Sequence, residues 1–310
     1  MMRYSGIAYA KNVAATMRTL AWWYRNYPFA TFRQLVSEHV DSMRRVREVA
    51  QQKYQVLSHE ELARVKKTKR VFVFGSGYSL NAIGDAEWGR IAQYDTIGFS
   101  GSFHLKKVPI TYHLFRGWVE TSAGSLAWKK ETEDVCRLVD SNPWLKDTVF
   151  VLQEGFTAIF SNRLIGYEML PPQYRVAFFL PDKVTRLPHR NMREGLAHRM
   201  TGLCSAVSLA VALGYEEIVL TGVDLYDSRY FWLKPDKTLG WSESEQRLVP
   251  ADLNLRGADA HGTHNTVHNG IIQVMGEWHR FLRERYGVAL SVHNPASLLT
   301  ATVPVFSWDA

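Results

Sequence analysis

The chain has 310 residues, 46% hydrophobic and 22% charged, which excludes bulk disorder and exceeds the usual size of one small domain. A net charge of +7 and a pI near 9.3 favour anionic partners without selecting among nucleotide, phosphorylated sugar, nucleic acid and acidic membrane. The two cysteines, Cys136 and Cys204, make neither a disulfide framework nor a zinc site, which fits a reducing, cytoplasmic compartment.

The N-terminal region, residues 1–67, reads as a helical extension: it has few β-branched runs and no strand alternation. No apolar run approaches the ~20 residues that cross a bilayer, and the start lacks a secretory cleavage site. Within it, "LAWWYRNYPF" mixes Trp22, Trp23, Tyr24 and Phe29 with Arg18, Arg25 and Arg33. That mixture suits either a helix packed on the main domain or a second subunit, or one lying on an anionic membrane surface through residues 1–35. Ser58 followed by Glu61 has capping-box spacing.

From Lys66 the pattern changes to short apolar strands at 70–75, 94–100, 110–115, 147–153, 174–180, 216–224 and 288–294. Helical stretches such as "AWKKETEDVCRLVD", "CSAVSLAVALGY" and "IIQVMGEWHRFLRERYG" alternate with them. The alternation predicts an α/β domain over 68–310, with a mostly parallel sheet covered by helices on both faces. Residues 233–268 read as a loop long enough to be a lid.

Three segments carry candidate chemistry. "VFVFGSGYSL" ends a strand in Gly75-Ser76-Gly77-Tyr78-Ser79, and "NAIGDAEW" reads as the first turns of a helix. The turn is either a phosphate cradle or a tight corner, since Leu80 breaks the dinucleotide fingerprint and no Walker lysine follows. "ALGYEEIVLTGVDLYDSRYFW" brings Asp224, Tyr226 and Tyr230 to the carboxyl end of a strand. There two phenol hydroxyls can serve a phosphate, or the rings can simply pack. His261, His264 and His268 cluster before a helix, where one of them can act as general base or all can be structural. No Asp-x-Asp pair occurs for a metal clamp.

Together these features resemble bacterial sialyltransferases of glycosyltransferase family 42 across roughly residues 69–300. The resemblance rests on "GSGYSL", Arg199 with Thr201, "ALGYEEIVLTGVDLY", Tyr230, the His-containing loop, and Pro295 with "SLL" at 297–299. It implies a single Rossmann-like domain of GT-A-variant type and an inverting, metal-independent transfer from a CMP-sugar donor, with no cofactor. The acceptor would be a glycan or glycolipid hydroxyl, as in lipopolysaccharide or capsule assembly on the cytoplasmic face of the inner membrane.

By the same resemblance the phosphate-binding tyrosines are Tyr226 and Tyr230, and the active-site arginine is Arg199. The base is His264 counting back from the helix start, or His268 counting from its end. The donor-binding set is Gly75, Ser76, Gly77, Ser79, Ser100 (or Ser102), Arg116, Thr201, Gly202 and Asp224. Ser76, Ser100 and Arg116 stand where the family has asparagines, so CMP-Kdo or another CMP-nonulosonate fits as well as CMP-sialic acid. Two other classes remain: a pterin diphosphokinase-like enzyme sharing the glycine turn, and a basic membrane- or nucleic-acid-binding module. The transferase reading expects no nucleic acid and leaves self-association open.

Overall fold

The computed structural model describes residues 4–115, 127–156, 158–199, 201–227, 229–233, 237–242, 247–252, 265–268 and 270–309. Two long helices open the chain. α1 (Gly6–Asn26) starts at Ser5, whose hydroxyl accepts from the Ala8 amide, and stops at Tyr27, held extended before Pro28. α2 (Phe29–Lys53) follows directly. β1 (Gln55–Val56) and α3 (His59–Arg64) come next, and α3 begins with the expected capping box. In that box the Glu61 amide donates to Ser58 Oγ at 3.1 Å, and the Ser58 amide donates to Glu61 Oε2 at 2.8 Å.

The chain then alternates strand and helix: β2 (Arg70–Phe74), α4 (Asp85–Ile91), β3 (Asp95–Phe99), β4 (Tyr112–Phe115), α5 (Ala127–Asp140), β5 (Val149–Gln153), α6 (Ile159–Gly166) and β6 (Arg175–Phe179). A small bridge pairs β7 (Pro181–Asp182) with β8 (Leu196–Ala197). The last stretch holds α7 (Gly202–Ala212), β9 (Glu217–Thr221), β10 (Lys237–Ser242), β11 (Arg247–Asp252), α8 (Asn265–His268), α9 (Ile271–Tyr286) and β12 (Ala289–Val292).

Eight strands form one sheet in the order β1-β6-β5-β4-β3-β2-β9-β12, every pairing parallel. Its central strands are buried on both faces, as their unbroken apolar runs require. From β2 the sheet grows one way through β6; β9 and β12 add on the other side of β2. Right-handed crossovers running in opposite directions put helices on opposite faces. The strand order therefore reverses between β2 and β9, where the ends of two neighbouring strands part and leave a crevice.

Three expectations are corrected. The stretch 233–268 is not all loop: Lys237–Ser242 and Arg247–Asp252 pair as an antiparallel hairpin. Its Gly, Pro and Asp content hides it, and a two-stranded ribbon tolerates Pro250 where a central strand would not. The glycine turn leads not into an α-helix but into a 3₁₀ turn, Tyr78–Ala82; Ile83 is extended, and α4 starts only after Gly84. The sheet also takes an edge strand, β1, from within the first 67 residues.

Candidate active site

A cavity of about 330 Å³ opens at the β2–β9 reversal. Its floor is the glycine turn, which prolongs the β2–β9 ladder: the Gly75 amide donates to the Thr221 carbonyl and the Gly77 amide to the Gly222 carbonyl, each at 2.8 Å. A Cβ at Gly75 would overlap the Gly222 carbonyl oxygen, and one at Gly77 would overlap the Asp224 carboxylate. Both glycines are thus demanded by the protein's own close backbone approach, which answers the corner-or-cradle question for their side. Asp224 braces the turn. Its carboxylate accepts from the Ser79 amide at 2.8 Å, from the Ser79 hydroxyl, and from Asn294 Nδ2 at 2.9 Å. Asp224 and Ser79, expected to meet the ligand, spend these polar groups on each other.

Ser76 and Thr201 both line the cavity, and Ser76 Oγ and Thr201 Oγ1 are buried with no hydrogen-bond partner among the described residues. Buried hydroxyls are ordinarily satisfied, so these two, on residues of the cavity wall, are candidates for a bound ligand's polar groups. Thr201 is also the N-cap of α7, yet its side chain makes no capping bond. Gly202 and Leu203, the first residues of α7, line the cavity, which brings the positive end of the helix dipole to its wall. This helix terminus, and not one after the glycine turn, is the one at the cavity wall, where it can receive an anion.

Backbone strain gathers around the same crevice. Ser100 (φ 53°) and Leu225 (φ 66°) hold left-handed conformations on the cavity wall, beside Gly222 (φ 67°). Ser100 lines the cavity, whereas Ser102 is buried against His113, Oγ to Nε2 3.2 Å, which separates those two candidates.

Of the tyrosines, Tyr230 lines the cavity and Tyr226 does not. Tyr230 forms an isolated bridge with Gly77 and stacks on Trp232 at 4.8 Å. Trp232 in turn stacks on His104 at 4.5 Å, over Gly101, where a Cβ would strike the indole. Burial, then Lys106, lowers the His104 pKa to about 4, which keeps that platform neutral. Tyr226 is 37% exposed, its hydroxyl 3.4 Å from Asn294 Nδ2. Arg199 is not on the cavity wall either: its guanidinium is paired with Glu277 of α9.

Sequence reasoning missed Arg229 and Trp232. Arg229 lines the cavity, held by Asp227 (Nη2 to Oδ2 2.6 Å) and lying 4.2 Å over the Tyr78 ring. The signal was the run "SRYFW", in which only the tyrosine was singled out. Thr266 of α8 and Ile271 of α9 close the wall, so the helices after the histidine cluster reach the cavity. His268 is the last residue of α8; His261, His264 and Arg116 lie outside the described residues. Among the described residues no group of three His, Cys, Asp or Glu is placed to hold a metal.

Fold and site define a doubly wound α/β protein with a cleft at its topological switch point. No family model matches the chain, and no curated protein matches it. Among solved structures it is similar to the sialyltransferase CstII of Campylobacter jejuni in complex with cytidine-5'-monophosphate: 16% identity, TM-score 0.43, covering 77% of this chain and 86% of that one. A single-residue variant of that enzyme, also in complex with CMP, gives 17% and 0.45 over the same shares. The complex with CMP-3FNeuAc gives 17% and 0.44, covering 76% and 86%.

Proposed function

We propose that the chain is an inverting glycosyltransferase that moves an acidic ulosonic sugar from a CMP-sugar to a hydroxyl of a surface glycan. The observation that carries this reading is a cavity walled by the N-terminus of α7 and the glycine turn, each with a buried hydroxyl, Thr201 Oγ1 and Ser76 Oγ, that has no partner among the described residues. They suit a nucleotide monophosphate, with the helix amides taking the phosphate and the Tyr230–Trp232–His104 stack offering an aromatic surface beside it. The resemblance to the family 42 sialyltransferases, carried by the motifs from "GSGYSL" to "SLL", implies that the nucleotide is CMP.

In the proposed reaction the acceptor oxygen attacks the sugar's anomeric carbon from the face opposite the phosphate. The bond to the phosphate oxygen breaks with its electron pair, and CMP departs. A histidine, His264 first and His268 second, takes the acceptor's proton. Charge growing on the phosphate meets the α7 amides, the Arg229 guanidinium and the Tyr230 hydroxyl. Tyr226 joins them only if it turns inward from its exposed position. No metal or cofactor enters this scheme.

Thermal-shift screening against CMP, CTP, ATP and GDP tests the donor class, and stabilisation by CMP alone is the expected result. Transfer from CMP-sialic acid or CMP-Kdo should persist in EDTA; loss of turnover restored by Mg²⁺ contradicts the metal-free step. Replacing the base histidine with Ala should lower kcat about 10²–10⁴-fold with little change in CMP affinity. If His261→Ala, His264→Ala and His268→Ala all stay active, the reading fails at its catalytic step.

A further inference from the structure

α1 has two unlike faces. Its inner face is tied to the chain leaving the carboxyl ends of β5 and β6. There Lys11 Nζ donates to Asp182 Oδ2 at 2.7 Å and Thr185 Oγ1 at 2.8 Å, Asn12 lies against Gly155, and Trp23 is buried beside Phe156. The helix therefore runs along the carboxyl edge of the sheet, the edge that also carries the cleft.

The outer face is apolar and bare. Tyr9, Val13, Met17 and Tyr24 repeat at helical spacing along one stripe, 48%, 60%, 61% and 65% exposed, and Phe29 continues it into α2. Ile7 and Trp22 are also exposed, off the stripe. A contiguous patch of this kind on a protein surface marks an interaction site. Its charge has one sign. No acidic residue occurs between Gly6 and Ser37, while Arg18, Arg25 and Arg33 are exposed.

We infer that this outer face docks on an anionic lipid bilayer, with α1 lying in the interface plane. The aromatic rings belong at headgroup depth, and the arginines beside them meet lipid phosphates. A second copy fits the face poorly: self-pairing would set arginines against arginines with no carboxylate on the helix to offset them. None of the described helices is long and apolar enough to cross a membrane, so the contact is with the bilayer surface. Packing and lipid contact, alternatives in the sequence, become the two sides of one helix.

The test is sedimentation of the full chain with vesicles of phosphatidylcholine and phosphatidylglycerol. Wild-type protein should pellet at low salt, and should stay in solution in high salt or with pure phosphatidylcholine. Arg18→Gln/Arg25→Gln should weaken binding about thirtyfold, and Val13→Glu/Met17→Glu should abolish it, both with unchanged melting temperature. If the glutamate variant does not fold, the arginine variant, confined to exposed positions, decides alone. Absence of binding to anionic vesicles overturns the inference, and so does equal binding to neutral ones. A dimer in light scattering that Val13→Glu/Met17→Glu dissociates overturns it as well, because a second copy then covers the face. None of these readings depends on turnover, so the docking surface and the proposed transfer stand or fall separately.

Discussion

α7 and α1 place their chemistry in opposite ways. Every residue of α7 from Leu203 to Val211 is buried, so the sheet and its neighbours consume the whole circumference and only the N-terminus is left to offer. α1, nearly twice as long, buries only Ala8 and Trp23. An all-apolar helix acts through its end, where unpaired amides and the dipole point into the cleft; a one-sided helix acts through its free face. The basic surplus is divided accordingly. Arg229 stands at the cleft, while Arg18, Arg25 and Arg33 ride on the outer helices.

The comparison is broken most severely on the buried side of α1. Trp23→Ala removes a side chain that is 2% exposed and packs on His39 and Phe156; it should cost about 3–5 kcal/mol in urea unfolding and leave vesicle binding per folded molecule intact. Trp22→Ala, on the exposed side, should do the reverse, with a stability change within about 0.5 kcal/mol and weaker sedimentation. At the cleft, Gly75→Ala drives a Cβ into the Gly222 carbonyl oxygen and should destabilise by about 3 kcal/mol, with nucleotide binding lost as β2 and β9 are pushed apart.

Acid sharpens the same contrast. Burial, then Arg163, lowers the His39 pKa to about 3, and burial lowers that of His113 to about 3. An unfolded histidine titrates near 6.5, so between that pH and about 3 the unfolded chain binds more protons. Stability is full above pH 6.5 and falls as the pH drops toward 3, by at most about 1.4 kcal/mol per pH unit for each histidine. Urea midpoints from pH 7 to 4 check the slope. A His39→Gln variant should flatten it in part, with His113 in the sheet core and His104 among the histidines that supply the remainder.

Much of this was legible in the chain. Seven of the eight sheet strands announce themselves as short, mostly apolar runs, because strands buried on both faces have no polar side to alternate. Ser58 and Glu61 reveal their cap because a capping box spans one helical turn and needs no tertiary knowledge. What stayed hidden is tertiary. β1 is two residues long and is a strand only through pairing with Arg175 and Val176. Asp224 reads as a ligand group until it is seen bound to Ser79 and Asn294, and Arg199 until it is seen beside Glu277. Partners so distant in the chain leave no local pattern. Strained Ser100 and Leu225 carry no signal either, because neither residue type announces a positive φ.

The central claim is that a nucleotide monophosphate pairs with the Ser76 and Thr201 hydroxyls, which have no partner among the described residues. Titration calorimetry with CMP on wild type, Ser76→Ala and Thr201→Val, alongside their unfolding curves, tests this most directly. A buried hydroxyl without a partner costs stability, so both variants should be as stable as wild type or slightly more so, while each lowers CMP affinity about tenfold. Unchanged CMP affinity in both variants, or a loss of affinity that only tracks a loss of stability, would contradict the account.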